Sequence, residues 1–334
     1  CAFFRADTIR QKEIENHGVR FNSFDGDLER FSKFLEAEAF DILHISGPEL
    51  QVDDFRKIVV AAKTAWIPVI VHLNYFAINR DVPVDLTLLQ TKTMAWKFIR
   101  QTNKKPCAVL PVPLDINKIK SLKPSETEKG KIRASLDVKS DAILICRLGR
   151  PDPFKWSYFM VDAWKRISEE LPDARFLALG GVPANIAARI KRVGLESRVI
   201  TLSSVSDDEI IKTLYCVDFV THSSRIGESF TTAISQAQAC GKIVIANSTD
   251  WADNGQIEQI DNGVNGFITT SLRNYSDVIP FILNQKLYHK GMEEAASLKA
   301  ESYDAKFVVK DLEKHYCELI PNVERDLAYS DVCH

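Results

Sequence analysis

No stretch of the 334-residue sequence approaches a bilayer-spanning run of apolar residues, and no signal peptide is visible. Cysteine patterning is missing as well. The seven cysteines (Cys1, Cys107, Cys146, Cys216, Cys240, Cys317 and Cys333) are odd in number and nowhere spaced CxxC. That argues against a disulfide framework or a zinc site and for reduced, mostly buried thiols in a reducing compartment. An excess of either charge is lacking too. Forty-three Lys+Arg face 45 Asp+Glu, for a net charge of −2. Residues 1–115 hold 15 of each sign, so no basic half is hidden in the total. A nucleic-acid partner, which needs a basic surface to release counterions, is not expected. Nor is a membrane-docking helix, so a soluble, cytoplasmic protein is. Finally, GxGxxG does not follow the first strand, which leads into RADTIRQ without a glycine. This weakens a dinucleotide oxidoreductase.

What is present is an ordinary globular composition, 45% hydrophobic and 26% charged, in a chain long enough for two domains. Short β-rich runs alternate with runs of helical period. Strands are expected at 2–4, 19–24, 41–46, 69–74, 86–89 and 107–110, with helices at 28–38, 54–65 and 94–101 between them. A Lys-rich stretch around 115–141 reads as a linker with one short helix. The alternation then restarts, with strands at 142–149, 174–181, 198–204, 218–224 and 242–247, and a long helical tail at 302–320. This pattern predicts an α/β protein of two Rossmann-like, doubly wound domains facing across a cleft. The divisions are 1–115, 116–310, and a helix and tail at 311–334 returning to the first domain. Ligands of open α/β sheets bind at the carboxyl ends of the strands.

Three features point to that edge in the second half. In CRLGRPDPFKW, Arg147 ends a strand and Lys155 opens the next helix, with Pro151 and Pro153 stiffening the loop between them. Two cations so placed make a clamp for a polyanion. In GESFTTAISQAQACGK, Glu228 precedes a helix starting near Thr231, whose first amides lack intrahelical acceptors and favour anions. In NGQIEQIDNGVNGF, Gly255, Gly263 and Gly266 punctuate a loop. In the first half, Asp25-Gly26-Asp27 heads a helix, where Asp27 is a good N-cap.

The ordered set ICRLGRPDPFKW, ARFLALGG, SSVSDDEIIKTLYCVDFVTHSS, GESFTTAISQAQACGK and NGQIEQIDNGVNGF closely resembles the carboxyl-terminal half of family 4 retaining glycosyltransferases, which have the GT-B fold. The resemblance is strong over about 140–270 and weaker over 1–135. It implies that Arg147 and Lys155 hold the donor diphosphate and that Glu228, the first acid of an E-x7-E motif, contacts the donor sugar. It further implies that Thr231 stands where backbone amides meet phosphate, that the Val205 backbone reads the base, and that Gln236 contacts the ribose. The strand end VIVHLN makes His72 the candidate histidine near the sugar; His44, in DILHISG, favours a structural role. Two departures stand out: Gln236 replaces the second acid of the motif, and the glycine-rich loop after the first strand is absent, with Arg5 and Asp7 in that region.

The expected activity is metal-independent transfer of a hexose, with retention, from a nucleotide diphosphate sugar to a glycan or other hydroxyl acceptor. No cofactor is expected. GDP-mannose is the first expectation for the donor; UDP-glucose and UDP-N-acetylglucosamine are alternatives. A catalytically silent nucleotide-sugar-binding protein is the rival, a sugar-nucleotide epimerase a further one, and a homodimer the base-rate oligomer.

Overall fold

A computed structural model describes residues 12, 15–46, 52–73, 82–102, 105–250 and 252–320. The expected strand at 2–4, with Arg5 and Asp7, lies outside the described residues. The described part of the chain forms two compact units. The first draws on Cys1–Leu89, Phe98–Ala108 and Leu312–His334, the second on Gln90–Lys97 and Val109–Asp311.

In the first unit, β1 (Leu43–Ser46), β2 (Val69–Leu73), β3 (Leu86–Leu89) and β4 (Cys107–Val109) form a sheet in that order. The β1–β2 and β2–β3 pairs are parallel. Helix α1 (Leu28–Glu38) starts where the side chain of Asp27 accepts from the Arg30 amide at 3.0 Å. Asp25-Gly26-Asp27 is thus a helix cap. Helix α2 (Val52–Thr64) packs against α1. Phe24, Phe31, Leu35, Val59 and Val69 close the core between helices and sheet. The expected strand at 19–24 is not formed; only Ser23 makes a single bridge, and the chain turns at once through Asp25 and Gly26 at positive φ.

The second unit is built on six parallel strands in the order β12 (Gly266–Thr269), β10 (Ile243–Asn247), β8 (Phe219–His222), β5 (Leu144–Leu148), β6 (Arg175–Leu179), β7 (Val199–Leu202). Every residue of β5 and β10 is buried, as a central parallel strand covered on both faces requires. Successive residues serve opposite faces. Leu144, Cys146 and Leu148 enter one apolar cluster and Ile145 the other; Phe176 and Ala178 oppose Leu177 and Leu179 in the same way. Trp164 stacks on Phe176 at 5.0 Å, and its indole donates to Thr221 Oγ1. The Lys-rich stretch holds two helices, α3 (Ile116–Ser121) and α4 (Glu126–Ser135), the latter opened by a Ser125–Glu128 capping box. The sequence reading foresaw only one. Cys146, Cys216 and Cys240 are buried free thiols, as expected; Cys317 is exposed.

From β5 the chain winds outward through β6 and β7, then returns to β8 and winds the other way. The order therefore reverses between β5 and β8, and open α/β sheets take their ligands at the carboxyl ends of strands at such a reversal.

Candidate functional site

The loops that leave β5 and β8 hold most of the residues singled out in the sequence. They are tied together where the Arg225 amide donates to Phe154 O at 3.2 Å. Helix α5 (Tyr158–Glu170) follows the first loop and α6 (Thr232–Ala239) the second.

Lys155 and Glu228 form the charged centre. Their Nζ and Oε2 atoms lie 2.7 Å apart, Glu228 buried and Lys155 about one-third exposed. His222, the last residue of β8, places Nε2 3.4 Å from Glu228 Oε1. Burial alone would raise the Glu228 pKa. The imidazole and the ammonium outweigh it and hold the carboxyl at about 2. Burial in turn keeps the His222 pKa below its ordinary value.

The backbone of Glu228 is pinned by a two-residue parallel pair, β9 (Gly227–Glu228) with β11 (Asp253–Asn254). Gly227 has φ 74°, and a Cβ there would sit 2.0 Å from Asp253 O. Ser229 Oγ donates to Asp253 Oδ2 at 2.8 Å, and Lys97 Nζ reaches Asp253 Oδ1 at 2.9 Å. The acid is therefore held by its own main chain and by a braced neighbour.

Arg147, expected to hold a diphosphate together with Lys155, is a buried side chain. It is 2% exposed, and its guanidinium lies over the Trp156 ring at 4.8 Å. Nη2 donates to Lys155 O at 2.6 Å and Nη1 to Leu148 O. Burial lowers its pKa to about 10, against the pull of Glu228. It remains a cation at neutral pH, but its hydrogen bonds hold the loop that carries Lys155. Gly149 makes this packing possible, since a Cβ there would fall 1.9 Å from Arg147 Nη1.

The start of α6 also differs in detail. The Thr231 amide, expected to meet phosphate, donates to Gln259 Oε1 at 2.9 Å, while Gln259 Nε2 donates back to Thr231 O at 3.0 Å. By position, the amides of Thr232 and Ala233 in the first turn lack intrahelical acceptors, and the helix dipole favours negative charge beside them. Gln236 lies one turn beyond Thr232, half-buried on the same helix face. Val205 sits past β7, two strands from β5, half-buried just ahead of Ser206, the N-cap of the helix Asp207–Cys216. Ser223 Oγ, Thr231 Oγ1 and Asn247 Oδ1, all near these strand ends, are buried without a hydrogen-bond partner among the described residues. Each such group costs about 1–3 kcal/mol unless something pairs it, which favours a polar ligand here.

Arg147, Lys155, Glu228, Thr231 and Gln236 thus share one edge of one sheet, with Val205 along it. His72 belongs to the other unit. There it is the next-to-last residue of β2, half-buried, its ring stacked on His44 at 6.1 Å. His44 Nδ1 lies 2.5 Å from Tyr316 Oη, and burial together with His72 lowers the His44 pKa to about 4.

Sequence reasoning missed His222, Gln259, Trp156 and Asp253. His222 carried a readable signal, a histidine closing a strand, much as His72 stands one residue short of closing β2. Gln259 carried none, because its partner is main chain 28 residues away.

Residues 140–283 match the family model described as "Glycosyl transferases group 1". An uncharacterized glycosyltransferase of Methanocaldococcus jannaschii is 24% identical over 226 residues, covering 65% of this chain. The chain spans 54% of that protein's length. Among solved structures, HepE of Anabaena in complex with UDP superposes with a TM-score of 0.78 at 19% identity, over 94% of this chain and 90% of that one. A glycosyltransferase of Rickettsia africae gives 0.81 at 16%, over 95% and 89%. The architecture is GT-B. Among the described residues, no helix is long and apolar enough to cross a membrane.

Proposed function

We propose that this chain transfers a sugar from a nucleoside diphosphate donor to a hydroxyl acceptor. One observation carries the reading. A buried acid paired to a lysine sits at the switch point of a parallel sheet, beside the free amides of a helix start, within the segment matched by the group 1 family model.

In the reaction the bond from the sugar's anomeric carbon to the diphosphate oxygen breaks, and its electron pair leaves with the diphosphate. The acceptor hydroxyl oxygen bonds to the anomeric carbon, and its proton passes to a phosphate oxygen. Attack on the face the diphosphate leaves gives retention, in keeping with the family 4 resemblance. Lys155 and the amides of Thr232 and Ala233 stabilise the departing charge. A preorganised donor of this kind is worth about 3 kcal/mol. That charge is what a divalent metal would otherwise neutralise, so the reaction is proposed to be metal-independent. Glu228, fixed by β9 and unprotonated at neutral pH, accepts hydrogen bonds from the donor sugar. Gln236 can accept from one ribose hydroxyl and donate to the other. Arg147 holds the Lys155 loop in place. The resemblance assigns His72 to the sugar side of the donor.

For the base we favour uridine, because HepE was solved with UDP and with UDP-glucose. GDP-mannose is the competitor in the test. A thermal-shift panel of UDP- and GDP-sugars, followed by mass spectrometry of the products with and without chelator, decides it. At a hundredfold excess over Kd the bound donor should stabilise the fold by about 2.7 kcal/mol. A panel in which no nucleotide raises Tm would overturn the reading. Binding without transfer or hydrolysis would leave the silent binding protein.

A further inference from the structure

The opposite edge of the same sheet carries features that sugar transfer does not use. Lys242 immediately precedes β10, so it stands at the amino end of a strand whose carboxyl end faces the donor site. Five residues of strand separate the two edges by about 16 Å. A cavity of about 510 Å³ opens there, lined by Lys120, Lys123, Lys129, Lys242, Glu293 and Tyr215 among others. A second cavity, also of about 510 Å³, shares Lys123 and adds Lys131, Lys212 and Glu128.

The charges on these walls are unevenly committed. Lys120 pairs with Glu301 at 2.8 Å and Lys129 with Glu126 at 2.7 Å. Among the acids, Glu128 is locked in the capping box with Ser125, Glu293 lies 3.7 Å from His289, and Glu294 4.0 Å from Lys290. Asp218, the other acid near Lys242, is engaged by Arg133 at 3.2 Å. Lys123, Lys131, Lys212 and Lys242 have no ion pair within 4.0 Å among the described residues. Lys242 is also largely withdrawn from water, and burial lowers its pKa. Glu293 and Asp218 favour the charged form of Lys242 without pairing to it, and an anion in the cavity would offset the remaining cost of desolvation.

We propose that this edge is a second binding site, for a phosphorylated small molecule held by Lys123 and Lys242. The cavity volume suits a small ligand rather than a polymer. The chain's net charge of −2 also disfavours a polyanionic chain. Lysine ammoniums serve as point-charge phosphate ligands. This proposal does not depend on the donor reading.

Inorganic pyrophosphate is the probe, titrated calorimetrically into the full chain carrying Lys155→Ala, which disables the phosphate-binding lysine of the donor site. Saturable binding should persist there. Adding Lys123→Ala and Lys242→Met should weaken it at least tenfold, while the same pair in the wild-type background leaves nucleotide affinity within twofold. Lys123→Ala alone, at an exposed position, guards against misfolding and should already weaken binding severalfold at unchanged Tm. Loss of all pyrophosphate binding in Lys155→Ala, or an affinity indifferent to Lys123 and Lys242, would overturn the site. Malonate binding as tightly as pyrophosphate would overturn the phosphate assignment. If nucleotides fail to bind anywhere and pyrophosphate still binds at Lys242, the donor reading falls and this one stands.

Discussion

The two sheets carry side chains of different electrical character. At the carboxyl ends of β5 and β8 the second unit gathers an arginine, a lysine and a carboxylate, with the acid held ionised at about 2. Within β1 and near the carboxyl end of β2 the first unit stacks two histidines and ties one to Tyr316, with His44 lowered to about 4 and so neutral at pH 7. Parallel strands carry both sets. What differs is the partner offered to each buried group: a cation for Glu228, another imidazole and a phenol for His44. Charge in such a place persists only where its counter-charge is built in.

The contrast is broken most severely by Lys155→Ala. It should weaken donor binding about a hundredfold, roughly 3 kcal/mol, and lower Tm because Glu228 stays buried without its cation. Calorimetry with the donor found in the thermal-shift panel checks the first, and a melting curve the second. Gly149→Ala comes next. Its methyl meets the Arg147 guanidinium at 1.9 Å, so the arginine must shift, and a loss of about 1–3 kcal/mol in chemical denaturation is expected. Glu228→Ala should cut sugar transfer at least tenfold while leaving the affinity for bare nucleotide nearly unchanged, since a hydrogen bond to a charged group is worth about 1.5–3 kcal/mol. Equal losses in both would move Glu228 away from the sugar.

The smallest effect lies in the first unit and depends on pH. An unfolded His44 takes up its proton near pH 6.5, the folded one only near 4. Its contribution to stability is therefore complete above pH 6.5 and lost as pH falls towards 4. Glu228 acts in a lower window, its contribution complete above about 4.5 and lost towards 2. His222, also lowered, works in the same direction as His44 from within the second unit. His44→Gln should lose less stability between pH 7 and pH 5 than the parent. An identical loss would show that His222 or another group carries this acid limb.

The second unit was the more legible in the sequence. β5 and β10 announced themselves as continuous apolar runs, and Lys155 and Glu228 as charges beside prolines and glycines at strand ends. How Arg147 is held was not legible. Local sequence shows that an arginine ends a strand but cannot show that Trp156 and two carbonyls wait to receive it. Gln259 was invisible for a similar reason, as was the capture of the Thr231 amide. The first unit was harder because its shorter runs leave more to tertiary contact. The expected strand at 19–24 lost to the turn at Asp25 and Gly26, whose chemistry favoured capping α1 over extending a ladder.

Arg147 makes hydrogen bonds to two main-chain carbonyls and lies over an indole, so much of its contribution is architectural. A variant of this protein that bound no ligand at all would still need that rivet to shape the segment after β5.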